Sequence, residues 1–346
     1  MRQIEFGCNE VLIEGNHGIP NLKTFYIGFD LGKYRLDSFS EIVMDALVDF
    51  AFGYHTGILK QYTRRKLIEA AKSLYSIKEI NDYKTNYIDQ NTVLEDSDPS
   101  ISNKYQKRGE FGELILHILL RDYFQTTPLL SKIYFKDSDG ITIHGFDSVH
   151  IGPDLTNKND ISLYLGESKL YYRKDGDAGK HGIKDLVQDI ESHFDVDFLK
   201  RECILIAKKR DSYSSIERYF DKNSVEAFKT YLDKKNEYMD LLQEVGLGKL
   251  KIQEFVNSIT VPLICTYESK LFSSFEHDQI NGFKEEYHKE MDTLHSLLKK
   301  ELNKLPTNNG QIDKSNLNIV LILFPIPSKL ELLRTLHNKL WNQQNA

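Results

Sequence analysis

The chain has 346 residues, 40% of them hydrophobic, and a formal net charge of −6 at pH 7, which predicts a sizeable folded core and restricts any basic nucleic-acid-binding face to a local patch. Its three cysteines include no C-x-x-C pair and no Walker-type phosphate loop is present, which excludes a disulfide framework, a cysteine zinc site and a P-loop ATPase. The longest apolar run, Ile319 to Phe324, is too short to cross a bilayer and the N-terminus lacks a signal-peptide core, so we expect no membrane association and a cytoplasmic location.

Three segments of the chain differ in pattern and together predict an α/β fold. Residues 1–100 predict an N-terminal α/β region packed on the core, residues 101–210 the core, and residues 211–346 a helix-rich region with a closing strand and helix. The elements expected outside the core are strands at 10–14, 24–29 and 318–324 and helices at 38–50, 59–79, 214–243, 249–258, 272–303 and 328–342.

The core begins with an amphipathic helix. Its buried stripe at helical spacing consists of Phe111, Leu114, Ile115, Ile118 and Leu119. Glu110 and Glu113 lie on one side of its first turn, where acidic residues suit the helix dipole. The dipole explains both carboxylates, and a functional role for one of them, Glu113 in preference to Glu110, is the alternative.

A predicted strand, Ile161–Tyr171, carries two charges on an otherwise apolar face. Side chains alternate across a strand, so Glu167 and Lys169 share a face with Leu163 and Leu165. Charges in such a place cost several kcal/mol unless they are paired, solvated in a cleft or bound to a metal. The pattern therefore indicates a functional use of both residues.

The preceding strand carries a similar charge. Asp147 has the same parity as the apolar residues Val149 and Ile151, and a polar connection joins the two strands into a predicted antiparallel hairpin. If the hairpin is symmetric about Thr156, Asp147 lies opposite Leu165, diagonally next to Glu167. A slip of one residue would move Asp147 to the other face of the sheet.

An aspartate followed about twenty residues later by Glu-x-Lys on the next strand resembles the site of the PD-(D/E)XK nucleases. Carboxylates such as Asp147 and Glu167 bind Mg²⁺, a hard cation that prefers oxygen ligands. A bound cation stabilises charge on the scissile phosphate and activates a water, and Lys169 can orient that water or neutralise the phosphate. The resemblance implies a mixed sheet flanked by helices, plus helical elaborations. In that fold Glu113 would add a third metal-binding carboxylate.

The chain contains a second copy of the Glu-x-Lys pattern. Glu268-Ser269-Lys270-Leu271 repeats Glu167-Ser168-Lys169-Leu170 after another apolar run, but the nearest upstream aspartate is Asp240 and helix-like sequence precedes it. We interpret this echo motif, residues 268–271, as an exposed strand end and place the site on the first copy.

Sequence after the hairpin predicts a helix and then a strand. Ile183, Leu186, Val187 and Ile190 form the stripe of the helix, and Gln188 lies on its edge, where related nucleases often carry a Gln or Lys near the phosphate; a solvated residue is the alternative. The apolar run Cys203–Ala207 predicts a buried strand. The resulting order, helix-strand-strand-strand-helix-strand, is typical of the nuclease core.

Basic residues flank the candidate site along the chain. They are candidates for contacts with nucleic acid, and an ordinary solvated surface is the alternative. The candidates are Lys107, Arg108, Arg173, Lys174 and Lys180.

Four stretches of the chain together resemble the HamA family, the nuclease component of the bacterial Hachiman anti-phage system. They are Arg108–Glu113, Gly145–His150, Leu165–Tyr171 and Leu323–Pro327. The resemblance implies a Mg²⁺-dependent DNA nuclease, with Mn²⁺ as a substitute, that a superfamily 2 helicase, HamB, holds in check and releases when aberrant or phage DNA is sensed. The family pattern falls on Asp147, Glu167 and Lys169, and on either Glu113 or Glu110.

Two other interpretations remain open at this point. A nuclease fold without activity could serve as a binding or regulatory partner of the helicase, although the survival of Asp147, Glu167 and Lys169 disfavours decay. An unrelated α/β protein could carry Glu-x-Lys as a surface salt bridge. The placement of Asp147 relative to Glu167 separates the last interpretation from the other two.

Overall fold

The computed structural model describes residues 11–52, 64–75, 78, 80–81, 84–85, 109–130, 145–155, 160–173, 176–208, 222–306 and 311–346. The strands are β1 (Leu12–Gly15), β2 (Leu22–Ile27), β3 (Phe29–Asp30), β4 (Lys33–Tyr34), β5 (Thr127–Pro128), β6 (Ser148–Pro153), β7 (Ile161–Tyr171), β8 (Ile259–Glu268) and β9 (Asn318–Ile326). The helices are α1 (Leu36–Asp45), α2 (Leu47–Phe52), α3 (Arg64–Leu74), α4 (Glu110–Asp122), α5 (Ala178–His193), α6 (Val196–Ala207), α7 (Lys222–Gly246), α8 (Ile252–Asn257), α9 (Leu271–Ser274), α10 (Phe283–Leu302) and α11 (Lys329–Asn345).

A seven-stranded mixed sheet organises the described residues, in the order β1-β2-β9-β8-β7-β6-β5. The four inner strands β2, β9, β8 and β7 run parallel, and antiparallel pairs close both edges. The parallel strands are buried on both faces, which explains their nearly continuous apolar sequences. The expected mixed α/β sheet flanked by helices is confirmed, and the sheet takes strands from all three predicted segments.

Two hydrophobic cores lie on the two faces of the sheet. One contains Leu163, Leu165 and Leu263 together with the apolar stripes of α5, α6 and α10. The other contains Tyr164 and Ile264 together with α1, α4 and α11. Because side chains alternate along β7, residues of odd number face α5 and residues of even number face α4.

The interpretation of Cys203–Ala207 as a strand is wrong, because the run is the end of α6. Asp195 caps this helix, with its Oδ1 accepting hydrogen bonds from the backbone N of Asp197 at 3.0 Å and of Phe198 at 3.4 Å. A short apolar run does not distinguish a strand from a buried helix. The next strand of the sheet is β8, which lies parallel to β7.

Helices that could cross a membrane are absent from the part of the chain that the structure describes. The longest helices are amphipathic instead. One face of α10, for example, is buried through Tyr287, Met291, Leu294 and Leu298, while charged residues such as Glu285 and Lys289 are exposed.

Candidate active site

The candidate site lies where β6 and β7 separate. The β6–β7 pairing ends at Ser148 and Gly166, and β7 continues to Tyr171 alongside β8. The last residues of β7 thus have one strand neighbour, β8, while α5 covers one face and α4 the other. Glu167 and Lys169 belong to this extension.

Asp147 precedes β6 and binds directly to β7. Its Oδ2 accepts hydrogen bonds from the backbone N and the Oγ of Ser168, each at 2.8 Å. The observed register differs by two residues from a hairpin symmetric about Thr156, because Val149 lies opposite Leu165. A shift of two residues preserves the face, and extending the register by one residue sets Asp147 opposite Glu167.

Glu167 is buried among other carboxylates. Glu167 is only 2% exposed, and burial raises the pKa of its carboxyl group well above 4.5. The charges of Asp147, Asp189 and Glu113 raise this pKa further, and Lys169 opposes them. Three further carboxylates therefore act on Glu167, and a single lysine opposes them.

The two glutamates of α4 have different surroundings. Glu113 is close enough to Glu167 to raise its pKa, and it is half-buried. Glu110 instead lies with its Oε2 3.5 Å from the hydroxyl of Tyr75. The structure brings Glu113, the residue that the sequence analysis preferred, to the candidate site. It places Glu110 beside Tyr75, just after the end of α3.

Lys169 forms an ion pair with a residue that the sequence analysis missed. Its Nζ lies 2.6 Å from Oδ2 of Asp189 on α5. Burial lowers the pKa of Lys169, but Asp189, Asp147 and Glu167 together raise it above its usual range. The lysine is consequently charged at neutral pH, and its side chain is 26% exposed at the edge of the site.

A second missed residue, His193, is the last residue of α5. Its Nδ1 lies 2.5 Å from Oε1 of Glu167, and burial lowers its pKa. Burial thus favours the neutral form of each group, because it raises the pKa of Glu167 and lowers that of His193. Gln188, on the same helix, is exposed and lies outside these contacts; its catalytic role stays a prediction.

The i, i+4 spacing of Asp189 and His193 was the signal available in the sequence. Both residues flank the apolar stripe of α5, and residues four apart lie on the same side of a helix. Asp189 is also only one residue from Gln188. The pattern could have been found by asking which polar residues of α5 match Glu167 and Lys169.

The echo motif has structural partners instead. Glu268 Oε2 accepts a hydrogen bond from the backbone N of Lys329 at 3.0 Å, at the start of α11. Ser269 is buried and its Oγ donates to Oε2 of Glu290 at 2.9 Å, while Lys270 is exposed. The echo motif is thus a packed junction between β8 and two helices rather than a plain exposed strand end.

The basic candidates fall into two groups. Arg173 and Lys180 are exposed near the start of α5; Arg173 Nη2 lies 3.1 Å from Nδ1 of His181, and Lys180 Nζ lies 2.7 Å from Oδ1 of Asp177. Lys107, Arg108 and Lys174 lie outside the described residues.

A cation would meet oxygen donors here. Within the described ranges, no three acidic, histidine or cysteine side chains are placed to hold one metal ion together as they stand. Glu167 is engaged through Oε1 by His193 and Asp147 through Oδ2 by Ser168. The donor chemistry nevertheless fits Mg²⁺ or Mn²⁺, because carboxylates predominate, and burial together with the neighbouring carboxylates raises the pKa of Glu167.

Comparison with known proteins adds the family. No curated protein matches the chain. The sequence model of the HamA family matches residues 4–340, nearly the whole length, and so includes every strand of the sheet and all of the helices except the last turn of α11. The chain belongs to the HamA family and is thereby a component of the Hachiman anti-phage defence system.

Proposed function

We propose that this protein is a metal-dependent DNA nuclease, the effector of its defence system, with a PD-(D/E)XK-type core made of α4, β5, β6, β7, α5 and β8. The observation that carries the proposal is the meeting of Asp147, Glu167 and Lys169 where β6 and β7 separate. A surface salt bridge would not require a buried glutamate among three further carboxylates.

Asp147, Glu167 and Glu113 would hold the cation, Mg²⁺ or Mn²⁺ in its place. When bound, it would stabilise negative charge on the phosphate and lower the pKa of a water. Asp147 is oriented for this role by two hydrogen bonds from Ser168 to the same oxygen, Oδ2. Glu167 offers a carboxylate from the buried floor of the site, and Glu113 approaches from α4.

Lys169 would act on the phosphate or on the attacking water. Its charged Nζ extends from the same face of β7 as Glu167, and its side chain is partly exposed, so a phosphodiester can reach it. An ammonium group there stabilises the negative charge that develops on the phosphate in the transition state. Removal of such an electrostatic element commonly costs several kcal/mol of transition-state stabilisation.

DNA binding and control are the other parts of the proposal. The net charge of −6 makes strong unassisted binding to DNA unfavourable, and Arg173 and Lys180 provide a small exposed basic patch. A HamB-like superfamily 2 helicase would therefore load the nuclease on DNA and restrain it until a trigger arrives.

Plasmid degradation tests the proposal. Purified protein is incubated with supercoiled plasmid and Mg²⁺, with and without the partner helicase and ATP, and EDTA is the control. We expect Mg²⁺-dependent loss of intact plasmid. Intact plasmid under every condition, together with normal binding to the helicase, would instead support an inactive nuclease fold with a regulatory role.

A further inference from the structure

Helix α5 and strand β7 present matching pairs of polar residues. Asp189 and His193 are four residues apart on the helix, a rise of about 6 Å. Glu167 and Lys169 are two residues apart on the strand, about 6.6 Å. The two spacings agree, so one helix turn can contact both strand residues at once, His193 at Glu167 and Asp189 at Lys169.

The contact between Asp189 and Lys169 restrains a flexible side chain. Lysine loses up to about 2 kcal/mol of rotamer entropy when it is held in one orientation, so an unrestrained Nζ would sample many positions. The ion pair with Asp189, with 2.6 Å between Nζ and Oδ2, fixes the end of the lysine side chain. Asp189 is itself only 19% exposed, which limits competition from water.

The ring of His193 is held by aromatic neighbours. It stacks on Phe198 of α6, with ring centroids 4.6 Å apart and an interplanar angle of 8°. Phe146, the residue before Asp147, packs edge-on against it at 5.8 Å, and Arg201 lies over the Phe198 ring at 5.0 Å. These contacts set the direction of Nδ1 and leave Oε2 of Glu167 as the oxygen not facing the imidazole.

We propose that Asp189 and His193 are a two-point clamp that positions Lys169 and Glu167 for the reaction. This clamp rests on the proposed nuclease function. His193 orients the carboxylate of Glu167 so that its second oxygen meets a cation, and Asp189 aims the ammonium of Lys169 at the phosphate. Groups that orient metal ligands in this way commonly change metal affinity or activity about 10–100-fold.

Double-mutant cycles test the clamp without activity. The unfolding equilibrium of the full chain is measured in EDTA for Asp189→Asn with Lys169→Met and for His193→Gln with Glu167→Gln. We expect each pair to be coupled, by about threefold or more in the unfolding equilibrium constant. The exposed neighbour Glu191, changed to Gln, is the control on the same helix and is expected to show no coupling with either strand residue.

Cation binding and kinetics separate the two roles. We expect His193→Gln to weaken Mn²⁺ binding, measured by calorimetry, by about tenfold or more, and Asp189→Asn to leave it unchanged. In plasmid cleavage Asp189→Asn should lower kcat about 10–100-fold at an unchanged half-saturating Mg²⁺ concentration, whereas excess Mg²⁺ should largely rescue His193→Gln. Glu191→Gln should match the wild type.

The outcomes decide between the clamp and the function itself. Additive cycles, or cleavage by both variants at the wild-type rate, would overturn the clamp. Loss of Mn²⁺ binding in Asp189→Asn would also overturn it, because Asp189 would then be a metal ligand. A wild type that cleaves no DNA with its helicase, ATP and Mg²⁺ would overturn the proposed function, while the cycles and Mn²⁺ binding would still decide the clamp.

Discussion

The carboxylate of Asp147 accepts hydrogen bonds from the backbone N and the Oγ of Ser168, each at 2.8 Å. Ser168 lies between Glu167 and Lys169, so this contact joins the end of one strand to the centre of the Glu-x-Lys motif. The middle position of the motif is thus occupied by a residue that fixes the upstream aspartate.

The two Glu-x-Lys copies should respond differently to mutation. We expect Glu167→Ala or Lys169→Ala to abolish plasmid cleavage and protection from phage without loss of folding or of helicase co-purification, because both side chains act in the transition state. Glu268→Ala should leave cleavage intact and lower the unfolding temperature instead, because it removes the hydrogen bond to Lys329 N. Lys270→Ala is the matched control in the echo motif, and cleavage lost only in the echo variants would falsify the site.

Glu167 should make the metal-free protein less stable as the pH rises. Its folded pKa is raised well above 4.5, so the folded state binds the proton more tightly than the unfolded state. The resulting stability is present below pH 4.5 and is lost as the pH rises towards the folded pKa. Since glutamine does not titrate, Glu167→Gln should gain stability over the wild type, and more at about pH 8 than at about pH 5.

Denaturation in EDTA at the two pH values measures this difference. An equal difference at both values would show that Glu167 does not carry the raised pKa. Added Mg²⁺ should stabilise the wild type at the higher pH and leave Glu167→Gln nearly unaffected, because a cation replaces the proton in neutralising the carboxylate.

The buried histidines opposite the site should make the protein sensitive to acid. His150 Nδ1 lies 2.8 Å from Thr126 Oγ1 and its Nε2 lies 3.2 Å from His117 Nδ1. Burial lowers the pKa of His150 well below 6.5. The charges of His117 and Arg121 lower this pKa further, whereas the charge of Asp49 raises it. The unfolded state therefore binds a proton first as the pH falls below 6.5, and stability is lost from there towards the folded pKa.

Replacement of His150 by glutamine should flatten this part of the pH dependence, by up to about 1.4 kcal/mol per pH unit for one proton. Thr126→Val is the matched control, because it removes the hydrogen bond to His150 but no titrating group. It should lower the free energy of unfolding by a similar amount at each pH. A wild-type slope that survives in His150→Gln would assign the acid sensitivity to another group.

Close approach of α5 to β8 should be essential to the site. A Cβ at Gly182 would lie 2.4 Å from Sγ of the buried Cys265. Gly182→Ala is therefore expected to destabilise the protein by about 1–3 kcal/mol and to displace α5 with Asp189 and His193, which should lower cleavage. Cys265→Ala removes the clashing sulfur, so the double variant Gly182→Ala/Cys265→Ala should recover much of the stability in urea denaturation. An equal loss of stability in Gly182→Ala and in the double variant would contradict this packing.

Local periodicity accounts for what could be predicted. The period-two pattern of Ile161–Tyr171 and the helical stripe that begins at Phe111 are confirmed as β7 and α4, and residues 318–324 as most of β9. Alternation along the strand is a covalent property, so the shared face of Glu167 and Lys169 did not depend on the rest of the fold. The prediction of a strand at Cys203–Ala207 was wrong because a run of five apolar residues is too short to show a periodicity that distinguishes a helix from a strand.

The sequence by itself determined which residues of β7 are charged against an apolar face, and that an aspartate of the same parity precedes them. Tertiary structure alone decided three things: the hairpin register that brings Asp147 to Glu167, the strand β8 beside β7, and the rotation of α5 that presents Asp189 and His193 rather than Gln188. The physical reason is range. Alternation and helical period act between near neighbours, whereas register, strand order and helix rotation follow from packing between residues far apart in the chain.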